Sequence, residues 1–304
     1  MEYSARDLET LFDTFTEIPD SRLLNGVKLT RTQTTRAGSF LYVKCFPVWN
    51  SRGIAGQAKK AKEKVSRTAV ERIHHRDSLL KLEQIINANF GDGDMFLTLT
   101  YSDEAQPSDD RECKKDIHGF LKRLRRYMSK LGDVLKYAYC HETTESKRRG
   151  VRHHVHLIFN GRKADRDEVE NLWNKGHVNS KRCRTDKAGL AGIANYMGKD
   201  YRKQTKHGRS WVTSRNCARP VSTTANHKVS VRQELRIAQA AEEYGRPFFE
   251  RKYPGYEVTD DVIVKTSAYV SGAYIYVRLK RRGASELTGV QKAGEADGHG
   301  GGGD

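Results

Sequence analysis

Cysteine is scarce in this sequence, and its spacing does not suit covalent cross-linking. Five cysteines stand among 304 residues, and no two of them form a Cys-x-x-Cys pair. An odd and scattered set argues against a disulfide framework and against a structural zinc site. It fits a reducing compartment, and we therefore expect a cytoplasmic protein.

Long apolar runs are missing as well. No run approaches the roughly 18 residues that a membrane span requires, and the opening MEYSARDLETLF lacks the layout of a signal peptide. We therefore expect no role at a membrane.

Acidic residues are too few to balance the basic ones. Lys and Arg number 55 against 38 Asp and Glu, which leaves a net charge of +17. Such an excess indicates a polyanionic partner, with nucleic acid as the first choice. A P-loop is absent from the sequence, because Ile193 precedes Gly198 where glycine is required and Asp200 replaces Ser or Thr. Unwinding of a duplex would therefore depend on a separate helicase.

Strand and helix patterns alternate in the middle of the chain. Strand-like runs lie at 95–102, 134–142, 152–160 and 177–183, and helical patterns at 112–131, 165–175 and 188–204. Asp165, with Glu168 three residues on, is the expected N-cap of the second helix. The order β-α-β-β-α-β-α predicts an α+β, ferredoxin-like (split βαβ) antiparallel sheet with helices on one face. In that arrangement the first and third strands are central neighbours.

Composition divides the chain into five regions. We predict an N-terminal region of unknown role at 1–54, a charged helical segment at 55–92 and a catalytic domain at 93–205. A basic C-terminal region follows at 206–282, and the Gly-rich tail at 283–304 has the composition of a disordered segment.

Three histidines interrupt the third strand, RHHVHLIFN. Alternation along a strand puts His154 and His156 on one face and His153 on the other. Two imidazoles about 7 Å apart on one face can share a metal ion. The alternative is that they cap a solvent-facing sheet edge. A carboxylate at the end of the preceding strand, Glu142, would complete a two-His-one-carboxylate site, with Glu145 and Asp103 as competing candidates.

A second chemical pattern lies in the last helix, NYMGKDY. Tyr196 and Lys199 share a helix face, and a lysine ammonium near a tyrosine favours the phenolate or stabilises charge on a phosphate. Tyr201 is five residues after Tyr196 and faces elsewhere. The alternative is a packed helix tyrosine beside a solvated lysine.

Taken together, the segments FLTLTYSD, HHVHLIF and YMGKDY resemble the three motifs of rolling-circle replication initiators, the Rep branch of the HUH endonucleases. The resemblance is closest to the initiators of small single-stranded-DNA phages and related plasmids, and it covers 95–204. It implies an HUH-nuclease core with helical and basic appendages in a bacterial host cytoplasm. It also implies a host helicase and polymerase as partners.

The resemblance assigns roles residue by residue. His154, His156 and, by position, Glu142 would hold Mg²⁺ or Mn²⁺, and Tyr196 would attack single-stranded DNA at a replication origin. The products would be a 5′-phosphotyrosine link and a 3′-OH primer. Some relatives carry two active tyrosines on one helix face, whereas here Tyr201 is one residue out of phase. We therefore expect one working tyrosine, with Tyr201 as a second candidate only in a distorted helix.

Basic side chains around these motifs are candidates for DNA binding, since such clusters supply salt-dependent phosphate contacts. They are Arg123, Arg126, Arg148, Arg149, Arg152 and Lys203. Two other functions stay open. One is a non-catalytic ferredoxin-like module that binds single-stranded DNA or RNA by stacking. The other is an HUH transposase; a relaxase is disfavoured because its tyrosine usually precedes the histidines.

Overall fold

The computed structural model describes residues 26–49, 67–146, 150–198, 211–267 and 271–283. They form an α+β fold with two antiparallel sheets. The strands are β1 (Val27–Ala37), β2 (Phe40–Trp49), β3 (Met95–Tyr101), β4 (Tyr137–Ser146), β5 (Gly150–Phe159), β6 (Gly176–Arg182), β7 (Val212–Thr213), β8 (Val221–Ala225), β9 (Tyr256–Val258), β10 (Ile263–Thr266) and β11 (Ala273–Arg281). The helices are α1 (Arg67–Asn89), α2 (Asp110–Lys130), α3 (Arg166–Asn171), α4 (Ala191–Gly198), α5 (Val231–Gln239) and α6 (Arg246–Lys252), with one π-helical turn at Ala241–Gly245.

One sheet carries the predicted motifs. Its strand order is β6-β3-β5-β4-β7, and every neighbouring pair is antiparallel. The predicted adjacency of the first and third strands is confirmed, because β3 and β5 pair with Thr98 opposite His156 and Thr100 opposite His154. The histidines therefore lie in the interior of the sheet and do not cap its edge.

The helix α2 covers one face of this sheet. Its N-cap is Asp109, whose carboxylate accepts a hydrogen bond of 2.8 Å from the backbone N–H of Glu112. An apolar stripe at helical spacing then faces the sheet, and α3 with its following Trp173 joins the same core. The predicted N-cap of α3 is also confirmed, since Asp165 accepts from the N–H groups of Asp167 and Glu168.

The opposite face is covered as well, so the expectation of helices on one face alone was wrong. Leu82 and Ile85 of α1 and Met197 of α4 are buried against Cys140 and Ile158 of the sheet. The physical reason is that the alternate side chains of β4 and β5 on this face are apolar over part of their length. Only the polar ends of the strands are left for chemistry.

The second sheet joins two distant parts of the chain. Its order is β10-β11-β2-β1-β8, with β9 paired to β11. Residues 27–49 thus share a sheet with residues 221–281, over a core that includes Leu41, Ile275 and Phe249 of α6. Nothing in the sequence pattern predicted this pairing, because strands so far apart in the chain leave no local signature.

The helix α1 lies between the two sheets and contacts both. Tyr42 of β2 donates a hydrogen bond of 2.9 Å to the carboxylate of Glu83, and Arg278 of β11 forms an ion pair with the same carboxylate. The opposite side of α1 packs on the motif sheet, as described above. No helix in the described part of the chain is long and apolar enough to cross a membrane.

We expect Asn87→Ala to lower the free energy of unfolding by about 1–3 kcal/mol. The buried Asn87 amide accepts a hydrogen bond of 2.8 Å from the N–H of Leu190 and donates one of 3.1 Å to the carbonyl of Ala188, just before α4 begins. Alanine leaves these groups without a partner. Urea unfolding measures the loss, with Lys81→Ala on the exposed side of α1 as the control. Equal stability of the two variants would contradict this role.

We also expect Glu234→Gln to stabilise the protein at high pH. Glu234 is buried in α5, where the Thr30 hydroxyl and the Ala273 N–H donate to its carboxylate. Burial raises its pKa from 4.5 to about 7. Between those values the folded state binds more protons than the unfolded state, so stability falls as the pH rises.

Glutamine does not ionise, and it can still accept from Ala273 while donating to Thr30. The variant should therefore exceed the wild type at pH 8 by up to about 3 kcal/mol, and the difference should vanish towards pH 4.5. Urea unfolding at both pH values measures it. A difference that does not change with pH would contradict the prediction.

Candidate active site

Two strands of the motif sheet bring a carboxylate and two imidazoles onto one face. Glu142 of β4 lies directly opposite His154 of β5, and His156 follows two residues on. Residues paired in this way share a face of the sheet. The Nε2 atom of His156 lies 3.2 Å from the Oε2 atom of Glu142, and both side chains are buried. The predicted trio is therefore close together.

The His156 ring is held from its other side by β3. The Thr98 hydroxyl lies 3.1 Å from Nδ1 of His156, and the Phe96 ring stacks on the imidazole with centroids 5.9 Å apart. A partner on Nδ1 fixes the ring orientation and leaves Nε2 directed at the carboxylate. Thr98 and Phe96 were not predicted, although the β3–β5 register follows from the predicted strand order.

His154 is less buried than His156, and its charged form is disfavoured. Burial is the main cause that lowers the pKa of His154, and the nearby charges of His156 and Arg152 lower it further. The ring therefore stays neutral at lower pH than an ordinary histidine. Neutral imidazole is the form that binds a metal ion.

The donor set fits a divalent metal ion. Oε1 of Glu142 is buried and has no hydrogen-bond partner within the described ranges, and such an orphan carboxylate oxygen is costly unless a cation takes it up. Two imidazoles and one carboxylate with open positions are a known metal-binding set. Of the competing carboxylates, Asp103 is exposed and forms an ion pair with Arg152, and the side chain of Glu145 lies outside the described residues.

The predicted nucleophile meets this trio. Tyr196 of α4 is 43% exposed, and its ring lies edge-on to His156 with centroids 4.8 Å apart. It also contacts Phe96 edge-on at 6.1 Å. The phenol is therefore accessible to a ligand and adjacent to the metal-binding side chains.

Several predicted residues lie outside the described part of the chain. They are Lys199, Tyr201, Arg148, Arg149 and Lys203. The same holds for most of the region 1–54, for the start of the helical segment at 55–66 and for the tail from 284. Their roles remain predictions.

The described arginines are placed differently from a DNA-binding patch around Tyr196. Arg123 donates to the carbonyl of Leu172 at 2.9 Å, and Arg152 donates to the carbonyl of Tyr101 at 3.2 Å, so both guanidinium groups are committed to the protein. Arg126 is exposed, but it belongs to α2, on the sheet face opposite the candidate trio.

A further cluster lies on the α2 face. His153 points away from His154, as predicted, and meets His141 and Cys113 there. Burial lowers the pKa of His141 to about 4 and raises that of Cys113 to about 11. Sequence analysis missed this group because its members are far apart in the chain. The alternation of His153 was its only signal.

The chain was also compared with known proteins. No curated protein and no solved structure matches it. Residues 94–201 match the model of a family described as replication-associated protein ORF2, and the matched segment contains the trio and Tyr196. The match supports a replication initiator, a class of protein that binds DNA at an origin.

Proposed function

We propose that this protein is a rolling-circle replication initiator of the HUH endonuclease superfamily, closest to those of small single-stranded-DNA phages and related plasmids. It nicks and rejoins single-stranded DNA at the origin through a 5′-phosphotyrosine intermediate. The observation that carries the proposal is the contact of the Tyr196 ring with His156, whose Nε2 faces the buried carboxylate of Glu142.

The topology of the motif sheet supports an HUH core. Numbered by their order along the chain, the four main strands β3 to β6 lie in the order 4-1-3-2, with α2 and α3 as the two crossover helices on one face. That is the order of a split βαβ, ferredoxin-like sheet. The helices α1 and α4 are additions on the second face, and α4 brings the tyrosine to the histidines.

The donor trio defines the cofactor that we propose. His154, His156 and Glu142 hold Mg²⁺ or Mn²⁺, and the metal when bound supplies a Lewis acid to the scissile phosphate. Thr98 keeps His156 in the orientation that directs Nε2 towards the metal. Burial of Glu142 and His156 keeps competing water away and strengthens the electrostatic interaction between these groups.

Tyr196 carries out the covalent step. Its Oη loses a proton and forms a bond to phosphorus, while the bond from phosphorus to the 3′ oxygen of the preceding nucleotide breaks. That oxygen takes up a proton and becomes the 3′-OH primer. The reverse reaction, attack of a 3′-OH on the phosphotyrosine, rejoins the strand and frees the phenol.

Lys199 is proposed to stabilise the phenolate or the charge on the phosphate, because it follows Tyr196 at helical spacing. Contacts to the DNA backbone are proposed for the accessible basic residues near the motifs, in keeping with the net charge of +17. They are Arg126, Arg148, Arg149 and Lys203. Host helicase and polymerase would complete replication.

The test is to incubate the purified protein with labelled single-stranded DNA from its own replicon, with Mn²⁺ or with EDTA. Denaturing electrophoresis and mass spectrometry then detect and map the adduct. The expected result is a metal-dependent covalent adduct on Tyr196. Tight binding without cleavage or adduct would favour the stacking module, and an adduct on Tyr201 would overturn the choice of nucleophile.

A further inference from the structure

The cluster on the α2 face consists of three side chains with metal-binding atoms. Cys113 of α2, His141 of β4 and His153 of β5 each offer one such atom, and these atoms all lie within 4.8 Å of one another. Nε2 of His141 is 2.7 Å from Nδ1 of His153, and the two rings stack with centroids 4.9 Å apart. The three residues come from three different elements and converge on one point.

This convergence is unusual for the place where it occurs. Cys113 and its neighbour Tyr101 belong to the apolar core between α2 and the sheet, where two histidines contribute little to packing. A single hydrogen bond joins the imidazoles to each other, and only one ring nitrogen of the pair donates in it. A metal ion would take the lone pairs of both rings.

A carboxylate supplies a fourth donor from the solvent side. Oδ1 of Asp110, in the first turn of α2, lies 3.8 Å from Nδ1 of His141 and 3.9 Å from Nδ1 of His153. On the inner side, the Tyr101 hydroxyl donates to Sγ of Cys113 at 3.5 Å. A donor of this kind stabilises a thiolate ligand.

We infer that Cys113, His141, His153 and Asp110 form a structural Zn²⁺ site, separate from the proposed active site and with a different role. One thiolate, two imidazoles and one carboxylate are the donors that Zn²⁺ takes in a closed tetrahedral site. Zinc bonds of about 2.0–2.3 Å place tetrahedral ligand atoms roughly 3.3–3.7 Å apart. The rings therefore separate slightly and the sulfur moves in, shifts on the order of 1 Å.

The site has a structural consequence for the histidine strand. His153 is adjacent to His154, so a metal on the α2 face fixes β5 from behind while the proposed active site uses the other face. The metal would clamp the start of α2 to β4 and β5. The inference does not depend on nicking activity, and it goes beyond the proposed function.

Cobalt substitution of the full-length protein tests the site. The protein is stripped with a chelator, loaded with Co²⁺ and examined by absorption spectroscopy, and zinc content is measured on the untreated protein. The expected result is a thiolate-to-cobalt charge-transfer band with the strong visible bands of four-coordinate Co²⁺. The proposed active site has no sulfur among its ligands, so this band reports the second site alone. A wild type without the band would overturn the inference.

Variants assign the sulfur. Cys113→Ser should abolish the band, whereas Cys183→Ser, another buried cysteine, should keep it. Cys140→Ser should keep it too, although Cys140 is paired in register with His156. A band that survives Cys113→Ser, or that disappears in Cys140→Ser, would overturn the inference.

Asp110→Ala covers the case in which Cys113→Ser fails to fold, because Asp110 is largely exposed. The affinity for Co²⁺ should fall at least about tenfold in this variant, with an unchanged circular dichroism spectrum. His154→Ala should retain the band even where it abolishes nicking. Unaltered Co²⁺ affinity in Asp110→Ala would exclude the carboxylate from the ligand set and overturn the four-ligand site.

Discussion

Replacing Tyr196 by Phe should lower the rate of nicking by at least about a thousandfold, because the substitution removes the atom that attacks phosphorus. The ring stays, so its edge-on contacts with His156 and Phe96 are preserved. Binding of single-stranded DNA should therefore be almost unchanged. The measurement is a cleavage time course on labelled origin DNA with Mn²⁺, alongside binding by fluorescence anisotropy.

A matched control is Tyr137→Phe, which removes a phenol from β4 on the α2 side of the sheet, where Tyr137 packs against the core. This variant should nick at the rate of the wild type. Nicking by Tyr196→Phe at the wild-type rate would contradict the proposed nucleophile and direct attention to Tyr201. An equal loss in both variants would indicate damage to the fold.

Removing a ligand of the proposed metal should have the second largest effect. His156→Ala deletes an imidazole that faces Glu142 at 3.2 Å and leaves that buried carboxylate without this contact. Nicking should fall at least about a hundredfold, and His154→Ala should act in the same direction. Mn²⁺ titrations of the nicking rate measure the effect, and circular dichroism checks the fold.

Thr98→Val provides a graded comparison, because it keeps the shape of the side chain but removes the hydroxyl 3.1 Å from Nδ1 of His156. Loss of such a supporting contact typically weakens metal affinity about 10–100-fold. Excess Mn²⁺ should therefore restore nicking to Thr98→Val and not to His156→Ala. Full activity of His156→Ala at low Mn²⁺ would remove this residue from the metal site.

The elements around the motifs were predictable because their signals are local. Helical spacing located α2, and Asp165 with its following acidic residues located the start of α3. Strand alternation separated His153 from His154 and His156, and each pair of contacts in the structure agrees with it. The order of these elements was enough to place β3 beside β5.

Other features depend on packing between distant segments. Arg152 was predicted to contact DNA, yet its guanidinium group donates to the carbonyl of Tyr101 and pairs with Asp103. The cover of α1 and α4 over the second face was not foreseen, because it depends on which apolar stripes meet in three dimensions. A charge pattern alone does not distinguish a solvated arginine from one that ties loops together.

The sequence by itself determined the chemistry available at the site: two histidines on one strand face, a carboxylate at a strand end and a tyrosine on a helix. Periodicity of the backbone is enough for that, since side-chain direction repeats every two residues in a strand and every 3.6 in a helix. Only the tertiary structure decided that Tyr196 meets His156, and that Cys113 joins His141 and His153. Contacts between segments so far apart in the chain are set by how complementary surfaces exclude water, and no local pattern encodes them.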